Sequence, residues 1–505
     1  MMQPIRGLAV GAAIAVVAGY VYAAGLDRDP VHPEERRVEA AARLFETGGW
    51  RDARGTRFPV FIAVDDEWLA PVPTYGTAAI EKTVGSNALP SRRLAALAGT
   101  ASVALLYGLA LELFDNLALS TIAALVFALD PAQFLSSRHA TSDGIWTIPF
   151  VLLWLIALTK YMRTRSPRML SVATAVLAGA VYAQPSAPLL VCVLTMVTAI
   201  VISRASANVR GDLGTVCLTG GAVVAPLVVW FVLHPQSYAG TFGAWLLHPA
   251  HIRNPLAWAR SVSSWFNLTV WVELYWDFFD PTHLFANDTA PILVGVFLLP
   301  VGVLIVIGVI DLCRHVSEAT PDAARFSVVL VTALLCPIVV AAFKEPRAVD
   351  RALPIVPLGA LFAARGVRVL WAARAATPRV VAVVLLVAAV GQFLLFYRRE
   401  TALQISPRFA NRAMSRGAEF RVANQLRHIM SESFGESEID MISQTLEANE
   451  KSYQRARNGK ISVLASAGDD GAVLFRRAPQ ARTTQTPVGE SSTTNCRSRV
   501  EAIVR

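Results

Sequence analysis

Eleven mostly apolar stretches run along the chain, at approximately 6–25, 92–113, 117–135, 144–161, 169–184, 186–203, 213–233, 291–311, 326–343, 353–371 and 378–397. A hydrocarbon core of ~30 Å takes about 20 helical residues to cross. Inside it every backbone polar group has to be satisfied within its own element, which leaves helices or closed barrels. Segments of this length are helices, so the chain reads as an all-α polytopic membrane protein. Only 16% of the 505 residues are charged, against about 25% in soluble domains. A mean hydropathy of +0.47 is modest for spanning helices alone, so a polar portion must sit beside them. The first segment follows Arg6 and ends at Ala23-Ala24-Gly25. It exceeds the roughly 7–15 apolar residues of a cleaved signal, and is expected to be an uncleaved anchor.

Short loops obey the positive-inside rule. The loop holding Lys160, Arg163, Arg165 and Arg168 therefore sets the orientation, and the loops around Arg204/Arg210, Arg314 and Arg374/Arg379 follow it inside, with the N-terminus. Segments 26–91 and 234–290 then become long outer loops. The expected organisation is a multi-span domain over 1–400, a small extramembrane α/β unit over 401–477 and a disordered tail over 478–505. The tail side is set by the same counting, although Arg398 and Arg399 run against it. Basic residues exceed acidic ones by nine, but with no Arg-rich arm and no zinc-type cysteine spacing the surplus implies no nucleic-acid partner. The cysteines read as small hydrophobes rather than a disulfide framework.

In the first outer loop Val38, Ala41, Ala42 and Phe45 repeat at helical spacing among Arg36, Arg37, Glu39, Arg43 and Glu46. This pattern predicts an amphipathic helix at the membrane surface. A second surface helix is expected over 74–84. In the tail the pattern predicts a helix near 418–430 and a hairpin of 461–465 with 472–475 around Gly468-Asp469-Asp470-Gly471.

Several polar clusters lie at segment ends. In His32-Pro33-Glu34-Glu35, Pro33 suits a first helical position, which places both glutamates where they either complement the helix dipole or do chemistry. Asp143, in Ser137-Arg138-His139-Ala140-Thr141-Ser142-Asp143, is either an N-cap of the next helix or a second acidic site. Asp65-Asp66-Glu67-Trp68 fits a solvated turn as well as a sugar or metal site. Between Glu273 and Asp280 the aromatic residues Tyr275 and Trp276 suit an interfacial belt or a stacking platform for sugar rings. Lys344, Arg347 and Arg351 put three cations in a short outer loop, against the charge rule. An arginine fork matches phosphate oxygens, and pairing with Glu345 and Asp350 is the competing explanation.

The order of these stretches resembles the GT-C membrane glycosyltransferases, most nearly the family 39 type. That type includes protein mannosyltransferases, the aminoarabinose transferase of lipid A and lipopolysaccharide galacturonosyltransferases. The stretches that carry the resemblance are His32–Glu35, Trp68–Tyr75, Ser91-Arg92-Arg93-Leu94, Asp130–Asp143, Phe279–Phe285 and Arg351–Pro354. The resemblance implies a sugar donor on a polyprenyl-phosphate carrier and a lipid, glycan or protein acceptor. It implies transfer with inversion on the outer face of a bacterial inner membrane, among membrane lipids. It further implies catalytic carboxylates at Glu34, Glu35 and Asp143, where the family carries Asp-Glu and this chain Glu-Glu. The donor phosphate falls to Arg351, Arg347 and Lys344, and sugar or acceptor contacts to Asp66, Tyr75, Arg138, His139 and Trp276. No cofactor is required, although relatives of this kind sometimes use a divalent cation, and no metal cluster is expected. The rival readings are a transporter or lipid flippase, whose ionisable groups would lie near the midplane, and a transferase-like scaffold without activity.

Overall fold

The computed structural model describes residues 2–26, 33–52, 54–64, 67–85, 89–140, 143–235, 237, 265–285, 295–316, 320–342, 349–403, 466–467 and 473–474. The chain divides into two compact units, Met1–Ala410 and Asn411–Arg505. In the first unit proline repeatedly opens a helix, where its missing N–H costs nothing and its fixed φ is already helical. Thus α1 (Met2–Ala23) is followed by α2 (Pro33–Thr47), α3 (Pro71–Val84), α4 (Pro90–Phe114), α5 (Leu117–Ala128) and α6 (Pro131–Arg138). Between α2 and α3 lies a two-stranded antiparallel hairpin, β1 (Ile62–Val64) with β2 (Glu67–Leu69), Val64 facing Glu67. The chain continues through α7 (Ile148–Thr164), α8 (Pro167–Gly179), α9 (Ala187–Ala205), α10 (Val209–Leu233), α11 (Trp265–Phe278), α12 (Pro281–Phe285) and α13 (Leu299–His315). The last helices are α14 (Pro321–Leu335), α15 (Ile338–Ala342), α16 (Val349–Ala352), α17 (Ile355–Ala372) and α18 (Ala376–Leu403).

Each of the eleven expected segments carries helix, but the expected number of spans is not reached. Among the described residues seven helices are long and apolar enough to cross a membrane, or eight if the pair α5 and α6, bent by 59°, counts as one span. The bend has a local cause. Asp130 interrupts the helix and caps the next, its carboxylate accepting from the N–H groups of Ala132 (3.0 Å) and Gln133 (3.3 Å). The remaining segments are shorter: the apolar parts of α1 and α8 are Ala9–Ala23 and Pro167–Tyr182. With 17 residues, α13 rises only about 25 Å at 1.5 Å per residue.

Helix ends meet at two levels. At one, Arg163 pairs with Glu112 (3.0 Å), Arg325 donates to the Glu112 carbonyl, Tyr161 donates to Asp212 and Arg365 pairs with Asp311 (2.7 Å). This end gathers the basic short loops. The core between the two levels is tightest where α13 crosses α17. A Cβ at Gly308 would run into the Phe362 carbonyl, and one at Gly366 into the Leu304 carbonyl, so glycine is what lets these backbones approach.

The loop between α1 and α4 folds as the pattern implied, with one addition. Ala41, Ala42 and Phe45 of α2 are buried, Ala42 and Phe45 packed with Ile62 and Ala78. Helix α3 starts at Pro71 rather than 74, because a first-turn proline extends it. The hairpin of β1 and β2, absent from the sequence reading, takes in Glu67 and Trp68 of the acidic run, whose Asp65 and Asp66 lie outside the described residues. Trp68 packs edge-on against Trp230 (6.3 Å) and Phe61 stacks on Phe231 (5.6 Å), docking the loop on the end of α10.

In the second unit Ser466 pairs with Leu474 and Ala467 with Val473. The hairpin is present, with its first strand just past the expected 461–465. That segment and the expected helix at 418–430 lie outside the described residues.

Candidate active site

At the second level the N-terminal turn of α2 meets the start of α4. Glu34 and Glu35 lie in that turn, behind Pro33, as expected. Glu35 is wholly buried, and so is Arg92 in the first turn of α4 (0% exposed each). The arginine fork binds the carboxylate at two points, Nε to Oε1 (3.1 Å) and Nη2 to Oε2 (2.6 Å), and its Nη1 donates to the Leu26 carbonyl (2.8 Å). The Ala140 N–H donates to the same Oε1 at 3.1 Å, and His139 Nδ1 stands 3.9 Å from it. One helical turn along α2, Glu39 accepts from the Ser91 hydroxyl at 2.7 Å. A doubly anchored carboxylate of this kind is held in place rather than left to sample rotamers. Glu34 stands one position earlier on the same fixed turn, and its side chain lies outside the described residues.

Arg138 holds the neighbouring strand of chain. It donates to the carbonyls of Tyr22 (3.3 Å), Ala24 (2.6 Å) and Gly25 (3.2 Å), the open C-terminal end of α1. The sequence placed this guanidinium on a sugar or acceptor. The structure shows it tying the end of α1 to the 138–140 segment, with its charge over the Phe134 ring at 5.3 Å.

From Ala140 the chain reaches Asp143, which opens a short 3₁₀ turn, Asp143–Trp146, ahead of α7. The helix-start position of α7 falls to Thr147, whose hydroxyl donates to the Gly144 carbonyl at 2.9 Å. Asp143 is therefore not the N-cap of α7, and its side chain lies outside the described residues. Gly144 abuts the Asp350 carbonyl and Leu353 so closely that a Cβ has no room. That contact seats Asp143 next to α16, which carries Arg351, only 4% exposed. The segments 33–35, 138–140, 143–146 and 349–353 are thus linked by contacts, Glu35 with Ala140 and Gly144 with Asp350 and Leu353.

The other expected residues are placed elsewhere or not described. Tyr75 packs against Phe45 (4.7 Å) and Trp50 (6.1 Å) and donates its hydroxyl to the Pro59 carbonyl (2.9 Å). Its burial, with the charge of Asp52 nearby, pushes its pKa up to about 12. Trp276, on α11, is 64% exposed, while its neighbour Tyr275 donates to the Leu334 carbonyl (2.9 Å). Asp66, Lys344 and Arg347 lie outside the described residues. Among the described residues no group of three or more His, Cys, Asp or Glu side chains is disposed to hold a metal. Arg92 is the residue that sequence reasoning passed over. Its stretch was noted, but an arginine in the first turn of a spanning helix reads equally as an interfacial charge until its partner, 57 residues away, is seen.

Fold and site together define a multi-pass membrane protein with a carboxylate and arginine cluster at one end of its helices. The dolichyl-phosphate-mannose-protein mannosyltransferase family matches residues 69–230, from β2 almost to the end of α10. The resemblance to GT-C membrane glycosyltransferases is borne out over that stretch. Among solved structures the chain is similar to ArnT from Cupriavidus metallidurans bound to undecaprenyl phosphate, with TM-score 0.47 and 14% identity over 77% of this chain and 72% of that one. It is also similar to the apo state of the same protein, with TM-score 0.43 and 16% identity over 71% and 59%. At this level the likeness is partial and identifies neither substrate nor chemistry. No curated protein matches the chain.

Proposed function

We propose that the chain is an inverting glycosyltransferase that moves a sugar from a polyprenyl-phosphate carrier to a lipid, glycan or protein acceptor, on the outer face of a bacterial inner membrane. The observation that carries this reading is the convergence of the Glu34–Glu35 turn, the Asp143 turn and Arg351. A dolichyl-phosphate sugar is the donor named by the matching family, which supports a polyprenyl-phosphate donor here. The acceptor oxygen attacks the anomeric carbon while the bond from that carbon to the phosphate oxygen breaks. The acceptor proton passes to the Glu34 carboxylate, and the lipid phosphate departs with the bonding electrons towards Arg351, whose charge stabilises it as its own grows. In this reading Glu35 is the positioning residue: its oxygens are held by Arg92 and Ala140 N–H, so it fixes the turn that presents Glu34. Asp143 orients the acceptor hydroxyl, with His139 beside it. Arg347 and Lys344, in the same loop as Arg351, extend the phosphate site, and Trp276 and Asp66 are candidates for contact with the distal sugar or acceptor.

The test is transfer by membranes carrying Glu34→Gln, supplied with a polyprenyl-linked sugar donor. Loss of transfer with retained donor binding is expected. Unchanged transfer removes Glu34 as the base, and uptake of donor into vesicles without transfer identifies a transporter or flippase instead.

A further inference from the structure

The first outer loop holds a built turn that the transfer reaction leaves unused. Phe58 N–H donates to the Trp50 carbonyl (2.9 Å), and Arg51 bridges Arg57 in antiparallel fashion. Asp52 is buried inside the turn, one carboxylate oxygen accepting from the N–H groups of Arg54 (3.1 Å) and Thr56 (2.8 Å). The acid is thus turned inward while Arg51, Arg54 and Arg57 are exposed, and among the described residues none of the three forms an ion pair. Arg51 donates to the Gly55 carbonyl (2.9 Å), Arg54 lies over Trp68 (4.6 Å) and Arg57 over Phe58 (5.4 Å). Trp50 and Phe58 both adopt left-handed backbone (φ 64° and 49°), which non-glycine residues hold only at a cost and which points to function when observed. Phe58 remains 56% exposed, its ring stacked on Trp50 at 6.2 Å.

Beside this turn lies a groove of about 530 Å³, walled by Phe58, Pro59 and Tyr75 on the loop side and by Tyr182, Val223 and Pro226 on the spanning-helix side. Ala222 and Pro226 on α10 are exposed, so the groove opens where the helix meets lipid. A cationic turn whose Phe58, under Arg57, forms part of the wall of an apolar groove matches one kind of occupant. The geometry points to a binding site for an anionic phospholipid, its phosphate at Arg51, Arg54 and Arg57 and one acyl chain in the groove. The site does not depend on the chain being a transferase.

The test is native mass spectrometry of the full-length protein in mild detergent, titrated with phosphatidylglycerol or phosphatidylcholine. Phosphatidylglycerol adducts are expected at lower lipid concentration. The variant R51Q/R54Q/R57Q is expected to lose that preference by at least about tenfold, the size of a near-surface charge cluster's pull on an anionic lipid. Ala222→Phe, which places a ring in the groove at a lipid-facing position, is expected to weaken both lipids. Equal adducts of the two lipids on the unmodified protein reduce the groove to ordinary lipid contact and overturn the proposal. So does an unchanged preference in the arginine variant, or complete displacement of phosphatidylglycerol by inorganic phosphate, which would mark a simple anion site.

Discussion

Replacing Arg92 by Met takes the two-point arginine fork away from the buried Glu35 carboxylate. Both side chains are fully buried and meet at 2.6 Å. Removing one partner of such a pair costs about 3–5 kcal/mol, because the remaining charge is stranded away from water. Replacing both partners of the buried pair at once, R92M/E35M, removes the stranded charge and is expected to recover most of the loss. Thermal unfolding in detergent micelles should rank the double variant above either single one. Sugar transfer should stay low in all three, because the α2 turn is no longer tied to the start of α4 through Glu35 and Arg92. Additive destabilisation in the double variant, or an R92M protein as stable as the parent, would refute the reasoning by showing that water reaches the pair.

Gly308→Val forces a side chain into the Phe362 carbonyl at the α13–α17 crossing; overpacking of this kind costs about 1–3 kcal/mol and should lower the melting temperature, whereas Gly49→Ala, where the cost is backbone strain without a clash, should act only on the loop. Burial, with Asp52 nearby, pushes the Tyr75 phenol from its ordinary pKa of about 10 up to about 12 in the folded chain. Unfolding therefore releases its proton more readily, and stability should fall as the pH rises from about 10 towards about 12. Tyr75→Phe should flatten that part of an alkaline unfolding curve, and an unchanged slope would remove Tyr75 as its source.

Much of the helical frame was legible because it rests on local rules: proline at first turns, apolar runs of spanning length, and the 3.6-residue repeat that buries Ala41, Ala42 and Phe45. Span number was less so, since a run such as 291–311 looks long enough while its helix occupies only Leu299–His315. The hairpin of β1 and β2 escaped notice because strands of three residues have too little pattern to read, and gain their stability from the cover over Ile62 and Ala63. In the candidate site, the placing of Glu34 and Glu35 in the first turn of α2 was readable from Pro33, and the burial of Glu35 against Arg92 was not.

By itself, then, the sequence determined an all-α membrane protein with acidic and basic residues gathered at helix ends, because hydrophobic length and helix-start chemistry act over a few neighbouring residues. Only the tertiary structure decided that Glu35 is bound by Arg92, that Arg138 ties down the carbonyls at the end of α1, and that Gly144 seats the Asp143 turn against Arg351's helix. Those contacts join residues 57, 114 and 206 positions apart. Burial makes such pairings strong, and burial is settled only when distant segments pack.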